Sequence, residues 1–234
     1  HARAQGLLMR FTPHALRLTT LALTLPVLGT AMAQTAVSNP TLQHAWVQRS
    51  ADQAWVARAI TSAAHCPTLQ WEGGQAPMQL RAGPAVIAAR GSKAGMVTKA
   101  SDVPVRSCEL SVPLGAQQLR VDGIALPAPV ADIRRIVLIG DTGCRMKQSE
   151  SAFQDCNDPV QWPFATVARN AAAKQPDLVI HVGDLHYRES PCPADRPGCA
   201  TSPWGYGYDT WDADVFVPAR PLLQAAPWLF VRGN

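Results

Sequence analysis

Charge is scarce in this chain: 16% of its 234 residues are charged against 47% hydrophobic, which is ample for a packed core and excludes a disordered polymer. An excess of either sign is missing as well. His1 to Ala33 contain Arg3, Arg10 and Arg17 and no acid, so the rest of the chain carries 18 basic against 17 acidic residues. That balance leaves no electrostatic footprint for nucleic acid or anionic lipid, and neither partner is expected. Closely spaced C-x2-C pairs are absent, which removes the usual structural zinc site. Leu18 to Thr30 is apolar but broken by Pro26 and Gly29, and it falls short of the ~20 apolar residues that a membrane span needs.

What that amino end does have is the layout of a targeting segment. Met9-Arg10 and Arg17 supply a positive start, Leu18 to Thr30 an apolar core, and Ala31-Met32-Ala33 a small-x-small cleavage site. Residues 1–8 read as upstream sequence, 1–33 as a removable leader, and the mature chain as starting near Gln34. Export to the periplasm or beyond follows, with no membrane span left after cleavage. In an oxidising compartment an even number of cysteines reads as a disulfide framework. The expected pairs are Cys192 with Cys199, Cys144 with Cys156, and Cys66 with Cys108.

At ~150 residues per domain the length admits one domain or two. Residues 34–130 read as a small β domain. Trp55 to Ile60 alternates partially, Cys108 to Leu114 alternates well, and Asp122-Gly123 between apolar runs signals a hairpin. Pro127 and Pro129 make a linker. His44 and His65 stand alone, and no cluster in this part suggests chemistry.

From residue 131 to 234 the pattern changes to strand, loop, helix, strand. Ile136 to Asp141 (IVLIGD) and Leu178 to Tyr187 (LVIHVGDLHY) are apolar runs ending in Gly-Asp. Between them Pro163 starts a helix whose Phe164, Val167, Ala168, Ala171 and Ala172 share one face, and Pro176 stops it. This is a βαβ unit with parallel strands. A second crossover, compatible with one or two short helices broken at Pro218 and Pro221, leads to Trp228 to Asn234 (WLFVRGN). Open α/β sheets keep their chemistry outside the carboxyl ends of the strands, which puts Asp141, Asp184 and Asn234 at one sheet edge. Hard metal ions take oxygen ligands, and a central carboxylate can bridge two of them. His181 alternates with the apolar residues of its strand and reads as a satisfied core residue.

Asp141-Thr142-Gly143, Gly183-Asp184-Leu185-His186-Tyr187 and Gly233-Asn234 resemble the first three blocks of the calcineurin-like metallophosphoesterases, and within them the purple acid phosphatase pattern DxG, GDxxY, GNH. Most of that superfamily has a His ligand two residues after the first Asp, where this chain has Gly143. The purple acid phosphatases lack it and carry a Tyr three after the bridging Asp, where this chain has Tyr187. A phenolate is a hard anionic donor suited to Fe(III), so the exchange makes chemical sense.

The resemblance implies an α/β fold: the αββα sandwich of the metallophosphoesterases, represented by its first βαβ units and preceded by the small β domain. It implies two metal ions, Fe(III) with a divalent Fe, Zn or Mn, and hydrolysis of a small-molecule phosphate ester by hydroxide held between them. Asp141 is then a terminal ligand, Asp184 the bridge, Tyr187 the phenolate and Asn234 an amide-oxygen ligand. The family's later His blocks do not occur in this sequence, so the chain by itself is expected to be inactive. His186 is a candidate for substrate contact or for support of the ligands. Arg145, Lys147 and Arg188 flank the site, either to meet phosphate oxygens or to neutralise acidic loops. Trp204 to Tyr208 either stacks on a substrate or packs beneath the Cys192 to Cys199 loop. Two other readings stay open: a phosphodiesterase or nucleotidase of the wider superfamily using other ions, and an exported binding module on the same scaffold.

Overall fold

The computed structural model describes residues 41–89 and 97–233. The expected leader, residues 1–33, and Asn234 lie outside the described residues. Strand β1 (Leu42–Arg49) pairs antiparallel with β2 (Trp55–Thr61). The hairpin of β3 (Thr68–Trp71) and β4 (Gly74–Pro77) follows, then β5 (Gln79–Ala82), the pair β6 (Ala85–Ile87) and β7 (Ser101–Val103), and β8 (Arg106–Ser111). Asp122 (φ 44°) and Gly123 (φ 85°) turn β9 (Arg120–Val121) into β10 (Ile124–Ala125), the left-handed pair that the Asp-Gly hairpin signal predicts. After Pro129 come β11 (Ile136–Ile139), the short pair β12 (Met146–Lys147) and β13 (Ala152–Phe153), helix α1 (Phe164–Ala172), and β14 (Leu178–His181). Helices α2 (Tyr208–Trp211) and α3 (Val217–Leu223) and strand β15 (Trp228–Phe230) complete the order.

Seven strands form one mixed α/β sheet in the order β11-β14-β15-β1-β2-β8-β5. The first four are mutually parallel, with Ile136 opposite Leu178 and Val179 opposite Trp228. Of the described residues 41–130, β10-β9-β3-β4 and β6-β7 form sheets of their own, whereas β1, β2, β5 and β8 join the mixed sheet, with β1 between β15 and β2. Central strands bury both faces, and this is why Trp55 to Ile60 alternates only partially. Ala45, Val47, Ala57 and Ala59 face a core shared with Leu69, Leu119 and Val121 of the small β10-β9-β3-β4 sheet. Trp46 and Ile60 face the opposite core with Phe164, Ala168, Val179, Leu222 and Trp228. On β11, Val137 and Ile139 pack into that second core, whereas Ile136 and Leu138 remain exposed.

The second crossover differs from the expected pair of helices broken at proline. Residues 208–223 run on through a π-helical turn, Asp212–Phe216, between α2 and α3. Pro218 then falls just after the π-helical turn, where the i→i−4 ladder is already interrupted, and Pro221 lies inside α3.

All three expected disulfides form, with Cα–Cα distances of 5.7 to 5.8 Å. Cys66–Cys108 closes a separation of 42 residues and Cys144–Cys156 one of 12, each worth on the order of 3–4 kcal/mol in loop-closure terms. No helix among the described residues is long and apolar enough to cross a membrane.

Candidate metal centre

Three strand ends meet at one point. Asp141 follows β11, Gly183-Asp184 follows β14, and Gly233 follows β15. The loops are tied by main-chain bonds: Asp141 N–H to the Gly183 carbonyl (3.1 Å), Val182 N–H to the Ile139 carbonyl (2.8 Å) and Val231 N–H to the His181 carbonyl (2.8 Å). The backbone contact is closest at the glycines. A Cβ on Gly183, whose φ is +115°, would lie 2.6 Å from the Gly233 Cα, and a Cβ on Gly233 would lie 1.7 Å from Asp184 Oδ1. Asp141 (φ 52°) and Asp184 (φ 55°) both occupy the left-handed region. That conformation costs non-glycine residues about 1–2 kcal/mol, and Asp tolerates it better than most. Both strand ends thus present a carboxylate from a backbone conformation that favours glycine.

The side chains converge as the backbone does. The Tyr187 hydroxyl lies 2.6 Å from Asp141 Oδ1 and 2.7 Å from Asp184 Oδ2. A phenol has one proton and cannot donate to both carboxylates at once. Burial, followed by these two carboxylates, pushes the Tyr187 phenol well above its ordinary range, so it ionises only beside a strong positive charge. A cation among the three oxygens resolves the clash, and an all-oxygen anionic set suits a hard metal ion. The residues therefore fit the group that the sequence pattern implies. No cluster of three or more His, Cys, Asp or Glu able to hold a metal occurs among the described residues. The set here is two carboxylates and a phenol.

His181 is fully buried beneath this cluster. Its Nδ1 accepts the Gly183 N–H (3.2 Å), and its Nε2 lies 2.9 Å from Thr142 Oγ1. Burial lowers its pKa to about 4 despite the opposing pull of Asp141 and Asp184, so near neutral pH it is the neutral Nε2–H tautomer and donates to Thr142. One ring thus supports both acidic loops. Because the folded-state pKa lies below the ordinary 6.5, the metal-free chain should be fully stabilised above about pH 6.5 and lose stability as pH falls towards 4, by no more than roughly 3 kcal/mol. NMR titration of the His181 ring checks this: the expected midpoint is near 4, and a midpoint near 6.5 contradicts it.

The sequence pattern gives no hint of Asp214, which lies in the π-helical turn and is completely buried. Its Oδ1 accepts the Cys144 N–H (3.1 Å) and the Arg188 Nε–H (2.5 Å), and its Oδ2 accepts the Tyr187 N–H (3.2 Å). Nothing in the local string DADV separates this acid from the solvent-facing acids of a helix. Only the tertiary packing does.

The flanking cations are engaged elsewhere. Of the two roles open to Arg188, the neutralising one matches its position: its side chain is 3% exposed, paired with Asp214, and 5.1 Å from the Trp162 ring. The physical reason is Asp214 itself, a buried carboxylate that requires a buried counter-charge. Arg145 pairs with Glu150 and lies over the Tyr187 ring at 5.1 Å. Lys147 pairs with Glu150 (3.0 Å) and Glu189 (3.5 Å). The ring of His186 packs between Tyr206 (5.1 Å) and Trp211 (5.6 Å), and burial lowers its pKa. Trp204 packs with Cys144, Met146, Cys156 and Cys199 around two of the disulfides, so the aromatic loop is divided between that cluster and His186. Asn234 lies outside the described residues.

No protein-family model matches the chain, and no curated protein does. Among solved structures, the match covers 35% of a purple acid phosphatase, so this chain spans about a third of that protein's length. Over 83% of its own residues, with a TM-score of 0.45 and 15% identity, the chain is similar to the purple acid phosphatase PPD1 isolated from seeds of yellow lupin (Lupinus luteus).

Proposed function

We propose that this chain carries the first half of the metal centre of an exported metal-dependent phosphatase acting on small phosphate esters. The observation that supports this best is the Tyr187 hydroxyl placed within 2.6 and 2.7 Å of two carboxylates that belong to different strand ends. Asp184 lies between the other two loops and is the candidate bridge. Asp141 and Tyr187 would hold the first, ferric ion, and Asn234, next to Gly233, would serve the second. Two ions bound together would polarise a phosphoryl oxygen and make water nucleophilic near neutral pH.

The chain's own residues do the rest. His181 keeps the Thr142 and Gly183 backbones in register from beneath. Arg145, over the phenol ring and hydrogen-bonded to Glu150, favours the phenolate form of Tyr187. Export is supported by three disulfides, which form and persist in oxidising compartments. The test is phosphate-ester hydrolysis by the full-length protein with and without Asp184. Retained activity in the variant would overturn the proposal.

A further inference from the structure

The loops bearing the candidate ligands belong to different strands, and something must fix their separation. Between them lies a single buried carboxylate. Asp214 accepts one main-chain N–H from each: Cys144, three residues after Asp141, and Tyr187, itself a candidate ligand. It takes both while its third bond goes to the buried Arg188 guanidinium. The fit leaves no slack, because a Cβ at Gly143 would lie 3.0 Å from Asp214 Oδ2 and 2.8 Å from the Tyr187 nitrogen.

The surroundings hold the carboxylate itself. Arg188 lies over Trp162, and the Trp162 Nε1–H donates to the Thr142 carbonyl (2.9 Å), so the counter-charge is braced against the same loop. The π-helical turn places Asp214 inside the protein with its neighbour Val215, and such turns often occur at functional sites. Beyond the clamp the loops are joined again by Met146 N–H to the Tyr187 carbonyl (2.9 Å), so loss of Asp214 alone leaves them connected but not spaced.

We infer that Asp214 is a positioning residue of the metal centre: through the Cys144 and Tyr187 amides it sets the distance between Asp141 on one side and Asp184 with Tyr187 on the other. This rests on the metal-centre reading above. Asp214 is not among the proposed ligands, and it acts by holding the backbone that presents them, as the outer partners of metal sites do.

A competing explanation is that Asp214 only balances the buried charge of Arg188. The full-length wild type, Asp214→Asn, and the double variant Asp214→Leu/Arg188→Met separate the two. The double variant replaces the ion pair by apolar volume, a change that buried pairs often tolerate without loss of stability. Fe(III) supplied as its citrate complex and measured after dialysis gives metal affinity, and amide exchange at Cys144 and Tyr187 gives loop order.

Both variants should bind iron at least about tenfold more weakly than wild type, as loss of an outer partner typically does. Both amides should exchange about tenfold faster or more, even where the double variant melts at the wild-type temperature. Wild-type iron affinity in a folded double variant would overturn the inference, as would unchanged exchange at the two amides. A full-length wild type that takes up no iron is a different failure. It overturns the metal reading, and the role of Asp214 in it, before any variant is compared.

Discussion

Asp184→Ala should reduce phosphate-ester hydrolysis by the full-length protein on the order of 10³-fold, because the several kcal/mol that metal ions contribute to the transition state depend on the carboxylate that joins their sites. The proposal assigns that role to Asp184. It lies against Tyr187 at 2.7 Å and against the Gly233 backbone, and Tyr187 in turn reaches Asp141. Alanine also removes a residue type that tolerates φ 55°, which adds about 1–2 kcal/mol of backbone strain. Asp184→Asn separates the effects. Asparagine accepts the left-handed conformation and keeps the shape but loses the charge, so it should melt near the wild-type temperature and still be inactive. An active Asp184→Asn or Asp184→Ala enzyme would remove the bridge from the account.

The second large effect is expected where a side chain is missing. Gly143→Ala should destabilise the chain by about 2–3 kcal/mol, at the upper end of the range for overpacking. The new Cβ meets the Tyr187 nitrogen at 2.8 Å, the Leu185 carbonyl at 3.0 Å and Asp214 Oδ2 at 3.0 Å. Two of these are backbone atoms, and the third is pinned by Arg188, so none can move cheaply. Denaturant unfolding at constant m-value reads the change. A loss below about 0.5 kcal/mol would mean that the loop yields, as ordinary surface positions do.

The same contact gives the exchange of a His at 143 for a Tyr at 187 a steric side. The loop carrying Tyr187 lies where a side chain at 143 would go, so Gly143→His should be at least as disruptive as alanine.

Much of this frame is readable from the string of residues, and the rest is not, for physical reasons. The runs Ile136 to Asp141 and Leu178 to Asp184 announce parallel strands because both end in turn-forming Gly-Asp after a β-branched stretch. Asp122-Gly123 specifies its hairpin and Pro163 its helix start, whereas the cysteines pair as the short loops favour, with Cys66 and Cys108 left over. Local chemistry decides each of these.

The joining of β1 to β15 has no local signal, because a one-register parallel contact between residues 48 and 228 depends on how the intervening chain folds. Burial of Asp214 and Arg188 is equally silent. In isolation each reads as a solvated charge, and only their 2.5 Å contact explains the other. His181 lies between these cases: its alternation predicts a satisfied core position, but not the two hydrogen bonds that link Thr142 to Gly183.

The claim on which the account turns is that Tyr187, with Asp141 and Asp184, is a metal ligand. The visible spectrum of the iron-loaded protein tests it most directly. The wild type should show a tyrosinate-to-iron charge-transfer band that disappears in Tyr187→Phe. A colourless iron-loaded wild type, or a band that survives in Tyr187→Phe, would contradict it.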